Sequence, residues 1–166
     1  MRELSSEIIY FFEKQGVAII STLDSRGKIH CAAKGIVGIE KKGKIYLIDL
    51  YNAYTFSNLQ RNPTISITAV NEHLFMGYTL KGKAKIVARE KIKGHIMEKW
   101  EKRVIQRISR RLIRNVKADN KTFHHPEARF PRPQYLIEMD VEDIVDLTPQ
   151  NLIPSAVTVP FPNRKY

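Results

Sequence analysis

The chain contains a single cysteine, Cys31, among its 166 residues, so an internal disulfide is impossible. Long apolar runs are also missing. The run nearest the start, Val17 to Leu23, is far shorter than the roughly 20 residues that span a bilayer. The first residues, MRELSSEIIYFF, lack the small-residue cleavage site of a secretory signal. Together these absences predict a cytoplasmic protein without a membrane-spanning helix.

Familiar catalytic and metal-binding patterns are absent as well. The chain has no P-loop, no dinucleotide-binding fingerprint and no nucleophile elbow. His124 and His125 are adjacent, a spacing at which both rings rarely reach one ion. Cys31 has no cysteine partner and is expected to be a small core residue. We therefore predict no metal site and assign no catalytic side chain.

The composition that is present is that of a globular protein. Hydrophobic residues make up 43% of the chain and charged residues 27%, which argues against a disordered protein. A chain of this length forms one domain of ordinary size. We expect that domain to cover residues 1–148, and residues 149–166, which contain several prolines, to form an extended tail.

The net charge of +11 is concentrated in one segment. Residues 89–117 hold 11 basic and 3 acidic residues, a net of +8. On a helical wheel the stripe from Arg103 to Lys117 is expected to lie opposite an apolar face that begins at Trp100. The stripe could be solvated, or paired with the acids of residues 138–146. It could also contact a cofactor's anionic group, or bind nucleic acid.

Apolar periodicity predicts a mainly β protein with peripheral helices. Helices are expected over residues 3–15, over a short part of 51–62, and over about 90–117. Six strands are expected, over residues 17–23, 29–39, 44–50, 64–70, 75–88 and 134–147. Tight turns between the early strands indicate an antiparallel barrel or sandwich, because a parallel sheet needs long crossovers.

Four stretches resemble the pyridoxamine-5′-phosphate-oxidase-like, FMN-binding split β-barrel family. They are GVAIISTLDSRGKIH (16–30), CAAKGIVGI (31–39), IYLIDLYNAYTFSNLQRNPTISIT (45–68) and GYTLKGKAKIV (77–87). The resemblance implies a six-stranded antiparallel split β-barrel with one long helix late in the chain. It also implies a homodimer with one flavin site per subunit at the interface, and hydride or electron transfer by the flavin.

The resemblance implies that ten residues contact FMN. Small residues of one strand leave room for a flat ring, the next strand passes alongside, and the start of the short helix offers N–H groups to a phosphate. These residues are Ala32, Ala33, Lys34, Gly35, Ile48, Asp49, Leu50, Tyr54, Thr55 and Asn58. Without the resemblance, the same residues describe an ordinary helix capped by Thr55 and a tightly packed strand.

The sequence departs from the family pattern at two positions. Ile29 replaces the family's proline before His30, and Tyr54 replaces the basic residue before the phosphate-binding threonine. Lys34 could supply the missing charge. Two alternatives keep the fold and change the cofactor, to haem or to a deazaflavin whose acidic tail would lie on the Arg103–Lys117 stripe. A third alternative is a non-enzymatic protein that binds a polyanion or nucleic acid through that stripe.

Overall fold

The computed structural model describes residues 1–51, 53–117, 131 and 133–149, with the side chains of 107, 108 and 110–117 excepted. The prediction for His124 and His125 lies outside these residues. So does the predicted tail beyond Pro149, and so do most side chains of the Arg103–Lys117 stripe. None of the helices that the structure describes has both the length and the apolar character that crossing a bilayer requires.

Among the described residues, seven antiparallel strands form one sheet in the order β2-β1-β5-β6-β7-β4-β3. They are β1 Ala18–Leu23, β2 Ile29–Lys34, β3 Ile36–Ile39, β4 Lys44–Asp49, β5 Thr64–Asn71, β6 Met76–Ala88 and β7 Tyr135–Asp146. The described chain thus confirms a mainly antiparallel β fold that curls into a split barrel.

The predicted strand 29–39 is in fact two strands, so the expected count of six was wrong by one. β2 pairs with β1 and β3 pairs with β4, at opposite edges of the sheet, and only Gly35 separates β2 from β3. Because one residue connects the two edges, the sheet has to curl until they meet. The place where they meet without a backbone ladder is called the seam below.

In the part of the chain that the structure describes, three α-helices accompany the sheet: α1 Ser6–Lys14, α2 Tyr54–Arg61 and α3 Gly94–Lys117. Ser5 caps α1 by accepting a hydrogen bond from the N–H of Ile8. The expected cap of α2 was wrong: Ala53 occupies the cap position, and Thr55 lies inside the first turn. The first turn of α2 therefore has no side-chain cap.

The apolar side chains form two clusters on opposite sides of the sheet. The larger cluster fills the barrel and includes Phe11 and Phe12 of α1 and Leu59 of α2. The smaller cluster lies where α3 packs on the outer face of β3, β4 and β7, and Ile96 and Trp100 belong to it. α3 is thus anchored by its first half to the outside of the barrel.

The acidic residues of β7 are paired mainly with basic residues of the sheet. Lys44 contacts Glu138 at 2.6 Å and Asp140 at 2.9 Å, and Lys85 contacts Glu138 at 3.2 Å. Arg2 reaches Asp143 at 3.1 Å. These ion pairs give Glu138, Asp140 and Asp143 partners other than the basic stripe of α3.

Stability is expected to fall below about pH 4.5 in part because Glu138 protonates. Burial raises the pKa of Glu138, but hydrogen bonds from Lys44 and Lys85 outweigh it and hold the pKa below its usual 4.5. The folded pKa lies below the unfolded one, so this stabilisation is present above pH 4.5 and is lost as the pH falls through the folded pKa. Urea unfolding of Glu138→Gln between pH 7 and pH 3 should show a shallower acid decline than the wild type.

The matched control is Glu98→Gln, which changes an exposed glutamate on α3. That variant should keep the wild-type decline. An unchanged acid limb in Glu138→Gln would show that the Lys44–Glu138–Lys85 cluster does not contribute to the pH dependence.

Candidate functional site

A cavity of about 280 Å³ opens at the seam, beside the joint between β2 and β3. Its wall is formed by the start of β1, the β2–β3 joint, the end of β4 and one side of α3. The lining residues are Gly16, Val17, Ala33, Lys34, Gly35, Ile36, Val37, Ile48, Asp49, Leu50, Tyr51, Trp100 and Arg103. We call this cavity the seam cavity.

The structure brings six of the ten predicted site residues together in the seam cavity. They are Ala33, Lys34, Gly35, Ile48, Asp49 and Leu50. The other four do not line it. Ala32 points to the other face of β2 from Ala33, as strand alternation requires. Tyr54, Thr55 and Asn58 belong to α2, which begins three residues after the cavity wall ends at Tyr51.

An ionic network lies at the inner wall of the seam cavity. One carboxylate oxygen of Asp49 accepts hydrogen bonds from the Lys34 ammonium and the Tyr135 hydroxyl. The other accepts from the N–H of Leu50 at 2.8 Å. Asp49 is 5% exposed. Burial, followed by the hydrogen bond to Asp49, raises the pKa of Tyr135, so its hydroxyl remains a donor.

Sequence reasoning missed Tyr135 because its role depends on strand pairing. Asp49 and Tyr135 are directly opposite in the β4–β7 ladder, although 85 residues separate them along the chain. Tyr135 also packs edge-on against Phe56 of α2, with ring centroids 4.9 Å apart. The network therefore connects β2, β4, β7 and α2.

The start of α2 has the features of an anion-binding helix end. Ala53 provides no side-chain cap, so the first-turn N–H groups lack that partner. Thr55 is 3% exposed, and in the part of the chain that the structure describes its hydroxyl makes no hydrogen bond. Tyr54 is 75% exposed, with its ring 5.5 Å from the ring of His30.

Asn58 is placed in a polar network below this helix start. Its amide donates to the Thr22 hydroxyl at 3.0 Å, and its carbonyl oxygen accepts from Arg61 at 2.8 Å. Asn58 and Thr22 are both buried. These bonds fix α2 against β1, so in this structure Asn58 supports the helix and does not contact the seam cavity.

Two residues of α3 line the seam cavity without having been predicted to do so. Arg103 was expected opposite Trp100, but residues three apart are separated by only about 60° around a helix and are neighbours. The structure corrects the expectation: both side chains line the cavity, and Arg103 donates to the carbonyl of Ile36. The three-residue spacing of Trp100 and Arg103 was the signal in the sequence that could have shown that these side chains are neighbours.

An exposed apolar surface adjoins the seam cavity on the outer side of β1 and β2. Ile29 is 74% exposed and Val17 55% exposed, and Ile19 lies between them. Cys31, expected to be a core residue, is also exposed, because β2 is an edge strand that buries none of its side chains. Val17 belongs both to this surface and to the cavity wall.

These observations define the class of protein: an antiparallel split barrel with a cavity at the seam between its edges. The chain belongs to the pyridoxamine 5′-phosphate oxidase family, whose sequence model matches residues 4–144. This confirms the resemblance drawn from the sequence. Among curated protein sequences, none matches the chain.

Solved structures with the same fold share few residues with this chain. HupZ of Group A Streptococcus is 16% identical, with a TM-score of 0.59 over 87% of this chain and 95% of that one. Rv2991 of Mycobacterium tuberculosis is 15% identical, with a TM-score of 0.59 over 94% and 92%. HutZ of Vibrio cholerae, described as a haem storage protein, is 16% identical, with a TM-score of 0.51 over 87% and 94%. Likeness at this level of identity establishes the fold.

Proposed function

We propose that this protein binds FMN at the seam as a homodimer and is a flavin-dependent oxidoreductase. The observation that carries the proposal is the start of α2. There the buried Thr55 hydroxyl has no hydrogen-bond partner in the described chain. It lies in the uncapped first turn of a helix that begins three residues after Tyr51, the last residue of the cavity wall. A buried polar group without a partner costs free energy, and a bound phosphate oxygen would remove that cost.

The cavity wall suits the flat ring system of a flavin. Ala33 and Gly35 leave the backbone of the β2–β3 joint accessible, so a ring can lie against its peptide groups. Ile48 and Leu50 add apolar surface from β4. Ligand sites of this kind combine an apolar lining with a few fixed polar groups, and the Lys34–Asp49 pair supplies these.

The phosphate would be held mainly by neutral donors. The first-turn N–H groups of α2 and the Thr55 hydroxyl are suited to an anion. Tyr54 brings no charge, and the ammonium of Lys34 is already bound to Asp49. Since charge-assisted bonds are about twice as strong as neutral ones, we expect weaker FMN binding than a site with a basic residue at position 54 would give.

Bound FMN would supply the hydride or electron transfer, and the side chains would supply position and electrostatics. The β2–β3 joint would orient the ring. The apolar residues of β4 and α3 would exclude water from it. The Lys34–Asp49–Tyr135 network would hold fixed charges beside it. We assign no catalytic side chain.

The homodimer would use the exposed outer surface of β1 and β2. A second copy would cover Val17, Ile19 and Ile29, which are large apolar side chains exposed in the single chain. It would also close the seam cavity, because Val17 and Ala33 belong to the cavity wall and to this surface. The exposed thiol of Cys31 suits a reducing cytoplasm, where we place the protein.

The same fold in HutZ, described as a haem storage protein, makes haem the second candidate. Haem iron is most often held by histidine, cysteine or methionine. Among the described residues that line the seam cavity there is no histidine, cysteine or methionine. Tyrosine can also hold haem iron, and Tyr51 lines the cavity, so the described lining offers haem this one ligand type. The deazaflavin and nucleic-acid alternatives depend on the Arg103–Lys117 stripe, most of whose side chains lie outside the described residues.

Thr55→Val is expected to weaken FMN binding by about 10- to 100-fold. The change removes one hydrogen bond to a charged phosphate, a bond worth about 1.5–3 kcal/mol, and keeps the volume of the side chain. Quenching of flavin fluorescence during titration measures the dissociation constant. Binding of riboflavin, which has no phosphate, should be the same in the variant and the wild type.

The matched control is Ser57→Ala, which removes an exposed hydroxyl from the same helix and should leave FMN binding unchanged. Wild-type protein that takes up no FMN would overturn the proposal. Equal loss of FMN and riboflavin binding in Thr55→Val would remove Thr55 from the phosphate site.

A further inference from the structure

Tyr135 lies in the barrel core next to the wall of the seam cavity and does not itself line it. Its hydroxyl donates to the same carboxylate oxygen of Asp49 that the Lys34 ammonium contacts. The β4–β7 ladder holds Tyr135 opposite Asp49, and its ring packs against Phe56 of α2. Tyr135, Asp49 and Lys34 therefore form a chain of contacts that leads from the core to the cavity.

Both carboxylate oxygens of Asp49 accept hydrogen bonds within the described chain. One accepts from Lys34 and Tyr135. The other accepts from the N–H of Leu50 at 2.8 Å and from the N–H of Tyr51 at 3.4 Å. A carboxylate has about four acceptor positions, and these four bonds occupy them. Asp49 therefore fixes its neighbours and has little acceptor capacity left for a ligand.

The Lys34 ammonium, by contrast, can still donate to a ligand. It carries three N–H groups, and within the described residues Asp49 is its only partner. The side chain lines the seam cavity and is only 13% exposed, so bulk water has little access to the remaining N–H groups. Donors left without acceptors in such a place cost free energy, and acceptor atoms on a bound molecule would remove that cost.

We propose that Tyr135 is a positioning residue for a flavin ring in the seam cavity. Through Asp49 it fixes Lys34, whose remaining N–H groups bind acceptor atoms at the edge of the ring. This inference rests on the proposed function and adds the ring contact to it, since the phosphate is bound elsewhere, at the start of α2. Reduction adds negative charge to the ring, so the ammonium binds reduced FMN more tightly than oxidised FMN.

The test measures the reduction potential of FMN bound to the full-length protein, by equilibration with a redox dye of known potential. Lys34→Met should lower the affinity for reduced FMN about tenfold more than the affinity for oxidised FMN, which lowers the potential of a two-electron couple by about 30 mV. Tyr135→Phe keeps the ring packed on Phe56 and removes the hydroxyl. It should lower the potential by a smaller amount, because Lys34 is still present but is held less firmly.

The matched control is Tyr46→Phe, which also removes a tyrosine hydroxyl from a carboxylate, that of Glu40 at 2.9 Å, away from the lining of the seam cavity. It should keep the wild-type potential. A purely structural role of Lys34 would weaken the binding of both oxidation states equally and leave the potential unchanged. Far-UV circular dichroism checks folding, and Lys34→Gln replaces Lys34→Met if that variant does not fold. An unchanged potential in the Lys34 variant or in Tyr135→Phe, or an equal shift in Tyr46→Phe, would overturn the proposal.

A second arm separates this proposal from the proposed function. It uses lumiflavin, which has the flavin ring and no phosphate. If the wild type takes up no FMN but binds lumiflavin, and Lys34→Met binds lumiflavin about tenfold more weakly, the proposed function fails and the ring contact stands. If FMN binds through Thr55, and Lys34→Met changes neither its potential nor the binding of lumiflavin, the proposed function stands and this proposal fails. If neither molecule binds, both are overturned.

Discussion

Asp49→Ala is expected to lower the free energy of unfolding by about 3–5 kcal/mol, because it leaves the Lys34 ammonium at the inner wall of the barrel without a counter-charge. The side chains of Lys34 and Asp49 are only 13% and 6% exposed, so solvent screens the remaining charge poorly. The variant also removes the acceptor of the buried Tyr135 hydroxyl. Most single domains have only about 5–15 kcal/mol of stability, so this loss is large.

The position of the pair explains why it matters for the fold. Among the strands that the structure describes, β2 forms a ladder only with β1, and β4 only with β3 and β7, so no described backbone ladder joins β2 to β4. The Lys34–Asp49 contact crosses this gap. It holds the two edges of the barrel together at the seam cavity, and its loss is expected to open the seam as well as to lower stability.

A series of variants separates the contributions. Lys34→Met should cost less than Asp49→Ala, because Asp49 keeps the Tyr135 hydroxyl and the N–H of Leu50 as donors. Asp49→Asn should fall between them, since its amide oxygen still accepts a hydrogen bond. Urea unfolding followed by far-UV circular dichroism measures each loss, and the double variant gives the coupling energy. Equal costs for Lys34→Met and Asp49→Ala would contradict a buried charge left without its partner.

Strand alternation groups Asp49 with Ile45 and Leu47 on one face of β4. Ile45, Leu47 and Asp49 alternate with Tyr46 and its neighbours, and the structure places the first set inside the barrel. The alternation within β4 does not show that β7 is its neighbour in the sheet. Tyr135 lies opposite Asp49 in the β4–β7 ladder. Local periodicity predicts strands but does not predict which distant segments pair.

For α3, too, the sequence predicts the helix itself but not how the helix packs on the sheet. Its length and amphipathic character were evident from spacing, and the structure confirms one long helix late in the chain. Which edge of its apolar face meets the cavity depends on how the helix is docked. Ile96 and Trp100 fix that docking, and they bring Arg103 into the cavity wall in place of solvent.

The conversion of one strand into two also required tertiary information. Residues 29–39 look continuous, because Lys34, Gly35 and Ile36 carry no turn signal beyond the glycine. The break arises because β1 and β4 are on different sides of the barrel: β2 pairs with β1, and β3 pairs with β4. Of the small residues in this stretch, Ala33 and Gly35 line the seam cavity.

Gly82→Ala is expected to destabilise the protein by about 3 kcal/mol, through the backbone alone. Gly82 lies in β6 where the pairing with β7 shifts register, and a Cβ atom added there would come within 2.0 Å of the carbonyl oxygen of Asp140. A backbone oxygen cannot rotate away as a flexible side chain would. β6 and β7 therefore have to separate locally, and the ladder that positions Tyr135 for Asp49 passes through the same two strands.

Gly94→Ala makes the same chemical change where nothing lies within 4 Å of the added atom, at the first residue of α3. Its unfolding free energy should stay within about 0.5 kcal/mol of the wild type. Hydrogen exchange should show faster exchange of β6 and β7 amides in Gly82→Ala and unchanged rates in Gly94→Ala. Equal stability of the two variants would mean that β7 can shift at Gly82 without cost. In that case the register shift would not fix β7, and the position of Tyr135 beneath the seam cavity would have to be fixed by its contacts with Asp49 and Phe56.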